Sequence, residues 1–166
     1  MYKRRLENIS LGNVRLRLLE EEDLPLTFTW RNRDDIRIWF FHSEPITIKN
    51  HYAWFNKYKS LDDDYVFIIE FMDKPVGQVA LYHIDWQKQS AEYGRLMIGE
   101  DKAKGKGIAK IATDLIIEFG FYTLNLKEIY LEVKKQNINA IKLYERCGFS
   151  HIEERQDSLL MKKVNL

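Results

Sequence analysis

Cysteine occurs once in these 166 residues, at Cys147. An internal disulfide is thereby excluded, and the chain suits a reducing compartment, the cytoplasm. No apolar run approaches membrane-spanning length. The opening Met-Tyr-Lys-Arg-Arg-Leu-Glu-Asn has charges with no apolar stretch behind them, which argues against an export signal and against a membrane partner. Lysine and arginine are interspersed with acids to a net charge of +1. Without a basic block, nucleic acid is not an expected partner. The four histidines, His42, His51, His83 and His151, are scattered with no ligand-like spacing, so no metal is expected. Linkers, repeats and low-complexity stretches are also lacking. With 45% hydrophobic and 31% charged residues, the composition is that of a soluble globular chain. One domain spanning 1–166 is expected, large enough to bury a core.

The elements that are present follow from periodicity. Val14 to Leu18 alternates apolar and charged residues, a half-buried strand. Glu20 to Asp23 places acids where a helix dipole favours them, and Pro25 fits a first turn. That helix ends at Trp30-Arg31-Asn32-Arg33, and Asp34 to His42 begins another short one. Thr47 caps a helix carrying His51, Trp54, Phe55 and Tyr58. Tyr65–Phe71 and Val76–Ile84 form a hairpin about Asp73-Lys74, and Ala91–Gly99 is a further strand. Ile108, Ile111, Ala112, Leu115, Ile116 and Phe119 fall on one face of a helix. Glu128–Val133 is a strand, a helix starts near Asn137, and Ser158–Val164 closes the sheet. Antiparallel hairpins early and crossover helices late predict an α+β domain with a mixed, mostly antiparallel sheet.

Two segments carry chemistry. In Lys104-Gly105-Lys106-Gly107-Ile108-Ala109, two glycines at a helix mouth let backbone approach a ligand. The unpaired N–H groups of the first turn and the nearby lysines favour an anion, a diphosphate in particular. The stretch lacks the spacing of a Walker loop and the third glycine of a dinucleotide fingerprint. In the second segment, Asn137 to Phe149, Asn137 or Asn139 can cap a helix that Gly148 stops. Asn137 and Tyr144 lie two turns apart on one face, with small Ala140 between them.

Together the segments resemble the GNAT family of acyl-CoA-dependent N-acetyltransferases, whose signatures are Arg/Gln-x-x-Gly-x-Gly/Ala and Asn-x-x-Ala-x-x-x-Tyr-x-x-x-Gly-Phe. Lys104 departs from the first; Asn137, Ala140, Tyr144, Gly148 and Phe149 match the second throughout. The resemblance, covering roughly 14–164, implies a single-domain GNAT fold in which the strands at 91–99 and 128–133 splay and are flanked by helices. It implies acetyl-CoA as cosubstrate, with its diphosphate on Lys104 to Ala109. It places the acyl arm along Leu96, Met97 and Ile98, with Asn137 and Ala140 beside it. Tyr144 would protonate the leaving sulfur. Glu92 matches a position where many members place a catalytic carboxylate, and flanking Ala91 and Tyr93 could desolvate it. Glu132, His42, His83 or an ordered water are the alternatives as base. Cys147 reads as a small apolar filler at the helix end.

The acceptor is read from the front third. Trp30, Arg31 and Asn32, followed by Trp39, Phe40 and His42, resemble the branch acting on nucleotide-linked amino sugars. Aromatics would stack on a base or sugar, while Arg31, Arg33 and Arg37 would fork phosphates. The expected partner is a small-molecule amine, a nucleotide-activated 4-amino sugar first. Ribosomal-protein N-termini, aminoglycosides and polyamines are the rival acceptors, and a catalytically dead acyl-CoA sensor is the non-enzyme alternative. A polyamine enzyme should show an acidic acceptor pocket, and Asp62-Asp63-Asp64 is the only acidic run after the first helix. The protein is expected to be a monomer or homodimer.

Overall fold

The computed structural model describes residues 6 and 8–166; apart from Leu6 and Asn8, the charged start lies outside the described residues. One sheet of eight strands divides the described residues into two layers. The strands are β1 (Ile9–Leu11), β2 (Val14–Leu18), β3 (Tyr65–Phe71), β4 (Lys74–Asp85), β5 (Ser90–Ile98), β6 (Glu128–Lys134), β7 (Ser150–Glu154) and β8 (Ser158–Val164). Their spatial order is β1-β2-β3-β4-β5-β6-β8-β7, and β5 with β6 is the parallel pair. The helices are α1 (Leu24–Arg31), α2 (Asp34–Arg37), α3 (Ile48–Tyr58), α4 (Ile108–Glu118) and α5 (Ile138–Arg146). This is the α+β arrangement expected from the sequence. No helix among the described residues is long and apolar enough to cross a membrane.

Strand period sets the layers. On β3, Phe67 and Ile69 face α4 in the main core, while Val66 and Ile68 face α3 with Leu24, Phe55 and Tyr58. The run Val-Phe-Ile-Ile is apolar on both faces because both are covered. On α4, Ile108, Ala112, Leu115 and Ile116 bury the face predicted from their spacing, each large side chain contributing about 1.5–3 kcal/mol. Phe119 does not continue that helix. A π turn runs from Phe119 to Thr123, and Gly120 in it lies so close to Leu81 and Ile129 that an added Cβ would stand 2.9 Å from each. The β3–β4 hairpin turns on Met72 and Asp73, both at positive φ, one residue before the expected pair. Beyond α2, residues 38–42 are turns rather than helix.

Two features of β5 position the site. Its rungs to β6 cover only Ser90–Glu92 against Glu128–Tyr130, so past Glu92 the two strands part. Its register to β4 slips between Gln78↔Met97 and Ala80↔Gly94, leaving Arg95 and Leu96 opposite Val79 alone. Such a bulge frees backbone from the ladder. Arg95 takes φ +55 there, its carbonyl accepting from Gln78 Nε2 at 3.2 Å and its guanidinium gripping Asp64 at 2.8 Å.

Candidate active site

A cavity of about 830 Å³ opens where β5 leaves β6, between the loop before α4 and the face of α5. Leu96, Met97 and Ile98 form one wall; Lys104, Gly105, Gly107, Ile108 and Ala109 form the mouth; Asn137, Ala140 and Tyr144 form the opposite wall. Gly107 is the N-cap of α4 at φ +74, and Gly105 stands at φ +73. Nothing lies within 4 Å of where a Cβ would project from either glycine. A left-handed turn with open space before it, at the start of an 11-residue helix, is a cradle that fits a diphosphate. Lys106 is not on that wall: its Nζ stands 5.4 Å over the Phe71 ring. Lys104, where the family signature has Arg or Gln, sits 3.1 Å from Asp101 and 3.4 Å from Asp35. Asn137 caps α5, its side-chain oxygen accepting from Ala140 N at 3.3 Å.

Tyr144 reaches the cavity from α5 while most of its ring is buried. Burial raises its pKa above that of a free phenol, and the neighbouring Tyr93 hydroxyl acts in the opposite sense. Glu92 lies on the other face of β5, one residue before Tyr93. Its Oε2 accepts from the Tyr82 hydroxyl at 2.8 Å, and its Oε1 is 3.2 Å from His83 Nδ1. Ala91 and Tyr93 point into the opposite layer, so they do not desolvate it; Tyr82 and His83, on the neighbouring strand, are its real surroundings. A carboxylate on one side of the splay point and a phenol on the other can serve two substrates that approach from opposite faces. Glu132 is held by Ser158 Oγ at 2.7 Å and Arg155 at 3.2 Å, which disfavours it as base. Burial, then the neighbouring Asp114, pushes the Cys147 thiol up to about 12, so it packs rather than reacts.

The front third corrects several expectations. Trp30 is not in the acceptor cleft. It is buried against Gly99, where a Cβ would stand 2.1 Å from the indole, and its Nε1 donates to Glu100 at 2.9 Å. Asn32 bonds both backbone groups of Ile46, at 2.9 and 2.8 Å, and so clamps the loop before α3. Arg33 holds the Gly99 carbonyl at 2.7 Å and Asp101 at 2.9 Å, bracing the cradle loop instead of forking a phosphate. Arg37 is engaged by Asp34 and the Ser43 carbonyl. Arg31 stacks 3.9 Å over Phe40 and donates to the His42 carbonyl, while its Nη1 is buried without a partner. Trp39 lines the cavity, and the His42 ring is exposed. Trp30, Ile36 and Met97 thus form a small core, with Phe40 against it, that fixes the cavity wall.

Sequence reasoning missed the open face beside Glu92. Tyr130 is the rung partner of Glu92. Its pKa is raised by burial and then by the charges of Glu92, Asp85 and Glu128. Asp85 and Glu92 lie on either side of one turn and Glu128 on a distant strand, and the pairing of β4, β5 and β6 puts them on neighbouring rungs. Asp64, by contrast, is buried on Arg95. Among the described residues no cluster of three or more His, Cys, Asp or Glu could hold a metal.

Residues 13–150 match the Acetyltransferase (GNAT) domain family. The chain is 34% identical over 149 residues to spermidine N(1)-acetyltransferase of Escherichia coli K12, covering 85% of this chain and 75% of that protein. Spermidine N-acetyltransferase from Vibrio cholerae, solved with CoA and spermine, superposes with a TM-score of 0.83 at 30% identity, over 92% of this chain and 95% of that one. FdhC, described as a nucleotide-linked sugar GNAT, superposes equally at 0.83 with 28% identity, over 95% of this chain and 90% of that one. The sensor alternative gives way: with the cradle, the splayed strands and these relatives together, the chain belongs to the GNAT family and is an acetyl-CoA-dependent N-acetyltransferase.

Proposed function

We propose that the acceptor is a polyamine. The observation that carries this reading is the placing of three carboxylates on neighbouring rungs beside the point where β5 and β6 part: Glu92 opposite Tyr130, and Asp85 and Glu128 on either side of Ser90. A flexible polycation is drawn to such a face, and the aromatic ring of Tyr130 adds an attraction for ammonium groups, the Tyr82 ring being already engaged by Arg95 at 4.0 Å. The similarity to spermidine acetyltransferases supports the same acceptor.

Acetyl-CoA supplies the thioester. The chain's own groups then divide the work. The amides from 104 to 109 hold the diphosphate, and the N–H groups at the bulge, near Leu96 and Met97, receive the oxyanion. Glu92, directly or through water, takes the proton of the attacking amine, and Tyr144 delivers one to the sulfur. A panel of spermidine, spermine, N-terminal peptides, aminoglycosides and UDP- or dTDP-amino sugars, read by thiol release, tests the reading. The expected result is a kcat/KM for polyamines at least tenfold above every other class. With the preferred amine, Glu92→Gln should lower kcat about tenfold or more.

A second reading, acetylation of a nucleotide-linked amino sugar, has one observation in its favour. Arg31 Nη1 is a buried cationic donor lacking a protein partner, on a guanidinium stacked over Phe40. A phosphate oxygen would satisfy it, and the likeness to FdhC supports the same idea. Turnover of the sugar nucleotides above the polyamines in that panel would decide for it.

A further inference from the structure

We propose that Tyr93 is a positioning residue for Tyr144, a hydroxyl that alternates between Thr113 in the resting enzyme and the phenol oxygen of Tyr144 during thiol release. The inference rests on Tyr144 being the proton donor to sulfur. Tyr93 and Thr113 are both buried in the layer between β5 and α4. Thr113 Oγ1 lies 2.7 Å from the Ala109 carbonyl, four residues back on α4. A carbonyl cannot donate, so the threonine proton is directed there. The 2.9 Å contact between Thr113 Oγ1 and the Tyr93 hydroxyl must then carry the tyrosine's proton. Tyr93 is left with lone pairs, and its ring packs edge-on against that of Tyr144 at 5.4 Å between centroids.

The chain Tyr93, Thr113, Ala109 therefore has a fixed direction at rest, and the Tyr144 ring packs beside its first member. Its far end is the first turn of α4, the helix that opens on the diphosphate cradle. Attack by the amine and collapse of the tetrahedral adduct form the C–N bond and break the C–S bond, leaving the electron pair on sulfur. Tyr144 gives its proton to that sulfur, and its own oxygen takes up the negative charge. In a buried site such a phenolate requires a donor. Tyr93 is placed to supply one by turning its hydroxyl from Thr113 to Tyr144; Thr113 keeps its bond to Ala109. The proton released by the attacking amine returns to Tyr144 through solvent, so the cycle closes with amide and free thiol.

A double-mutant cycle on the intact enzyme, with acetyl-CoA and its preferred amine, tests this. Tyr93→Phe should lower kcat about tenfold, the size of a lost hydrogen bond to a charged group, with KM for acetyl-CoA unchanged within twofold. Thr113→Val, which removes the competing acceptor, should raise kcat about twofold. In a Tyr144→Phe background both changes should have no further effect on kcat. Losses that multiply in that background, or a fall in kcat with Thr113→Val, would overturn the proposal. If Tyr144→Phe by itself leaves kcat unchanged, the fault lies with Tyr144 as acid, and the role of Tyr93 falls with it. Thermal unfolding of each variant identifies loss through misfolding, and should Tyr93→Phe not fold, the sign of the Thr113→Val effect decides.

Discussion

Gly107 shows how much of the cofactor site depends on single backbone angles. At φ +74 it turns the chain so that the first amides of α4 face the cavity. Alanine there would meet no neighbour, since the space is open, so its effect must come from the angle itself. A left-handed alanine costs about 1–2 kcal/mol, enough to lower Tm by roughly 2–8 °C in a domain of this size. The local remedy, a shift toward negative φ, would turn the amides away. Gly107→Ala should therefore raise KM for acetyl-CoA several-fold while kcat at saturation changes little; calorimetric unfolding and steady-state kinetics read the two effects separately. At this scale the sequence was legible wherever a residue type has one physical use, as with the two glycines and the capping Asn137. It was less legible for Trp30, Asn32, Arg33 and Arg37. Their chemistry suits a ligand as well as it suits a neighbour, and only the fold brings Gly99, Ile46, Asp101 and Ser43 into their reach.

Elements with a strong period were found in the sequence nearly to the residue, and the two edge strands were not. β1 has three residues and β7 is exposed at every position, so neither leaves an apolar alternation to detect. The bulge in β5 was also hidden, because a slip of register is a property of two strands and not of one. α3 carries the pH response expected at this scale. His51 on it is buried, stacked on Trp54 at 5.6 Å, with Nε2 2.9 Å from Thr27 Oγ1 of α1. Burial first, and then the charge of Arg31, lowers its pKa below the ordinary 6.5. In the window between the lowered folded value and 6.5 the unfolded chain binds more protons, so stability rises with pH there. The contribution is whole above that window and is lost as pH falls through it. The Tm of the native chain should drop between pH 7.5 and pH 5 more steeply than that of His51→Gln, even though the variant starts lower at neutral pH. Parallel curves for the two would mean that His51 binds protons equally in the folded and the unfolded chain.

Over the whole molecule a net charge of +1 conceals a separation of sign. The cavity mouth carries Lys104, Lys110, Lys142 and Arg146 against Asp35 and Glu145, on the side that faces a phosphate-bearing carrier. The opposite face of the splay carries Glu92, Asp85 and Glu128 about Tyr130, with Lys88 beside Asp85 and Lys162 beside Glu128. No stretch of sequence announces this, since the acids alternate with apolar residues along strands and the bases belong to a loop and two helices. If the two faces serve substrates of opposite charge, they should be separable by charge reversal. Lys142 is exposed on the rim and Glu128 is half-buried with Lys162 at 3.3 Å, so neither substitution opens the core. At about 0.2–1 kcal/mol for each exposed pair, Lys142→Glu should raise KM for acetyl-CoA about threefold and leave that of a polyamine unchanged. Glu128→Lys should do the reverse. Both effects should shrink between 0.05 and 0.5 M salt, as the screening length falls from roughly 14 Å to about 4 Å. Were Glu128→Lys to improve the KM of an acceptor, that acceptor would be an anion, and the nucleotide-linked sugar would take the polyamine's place.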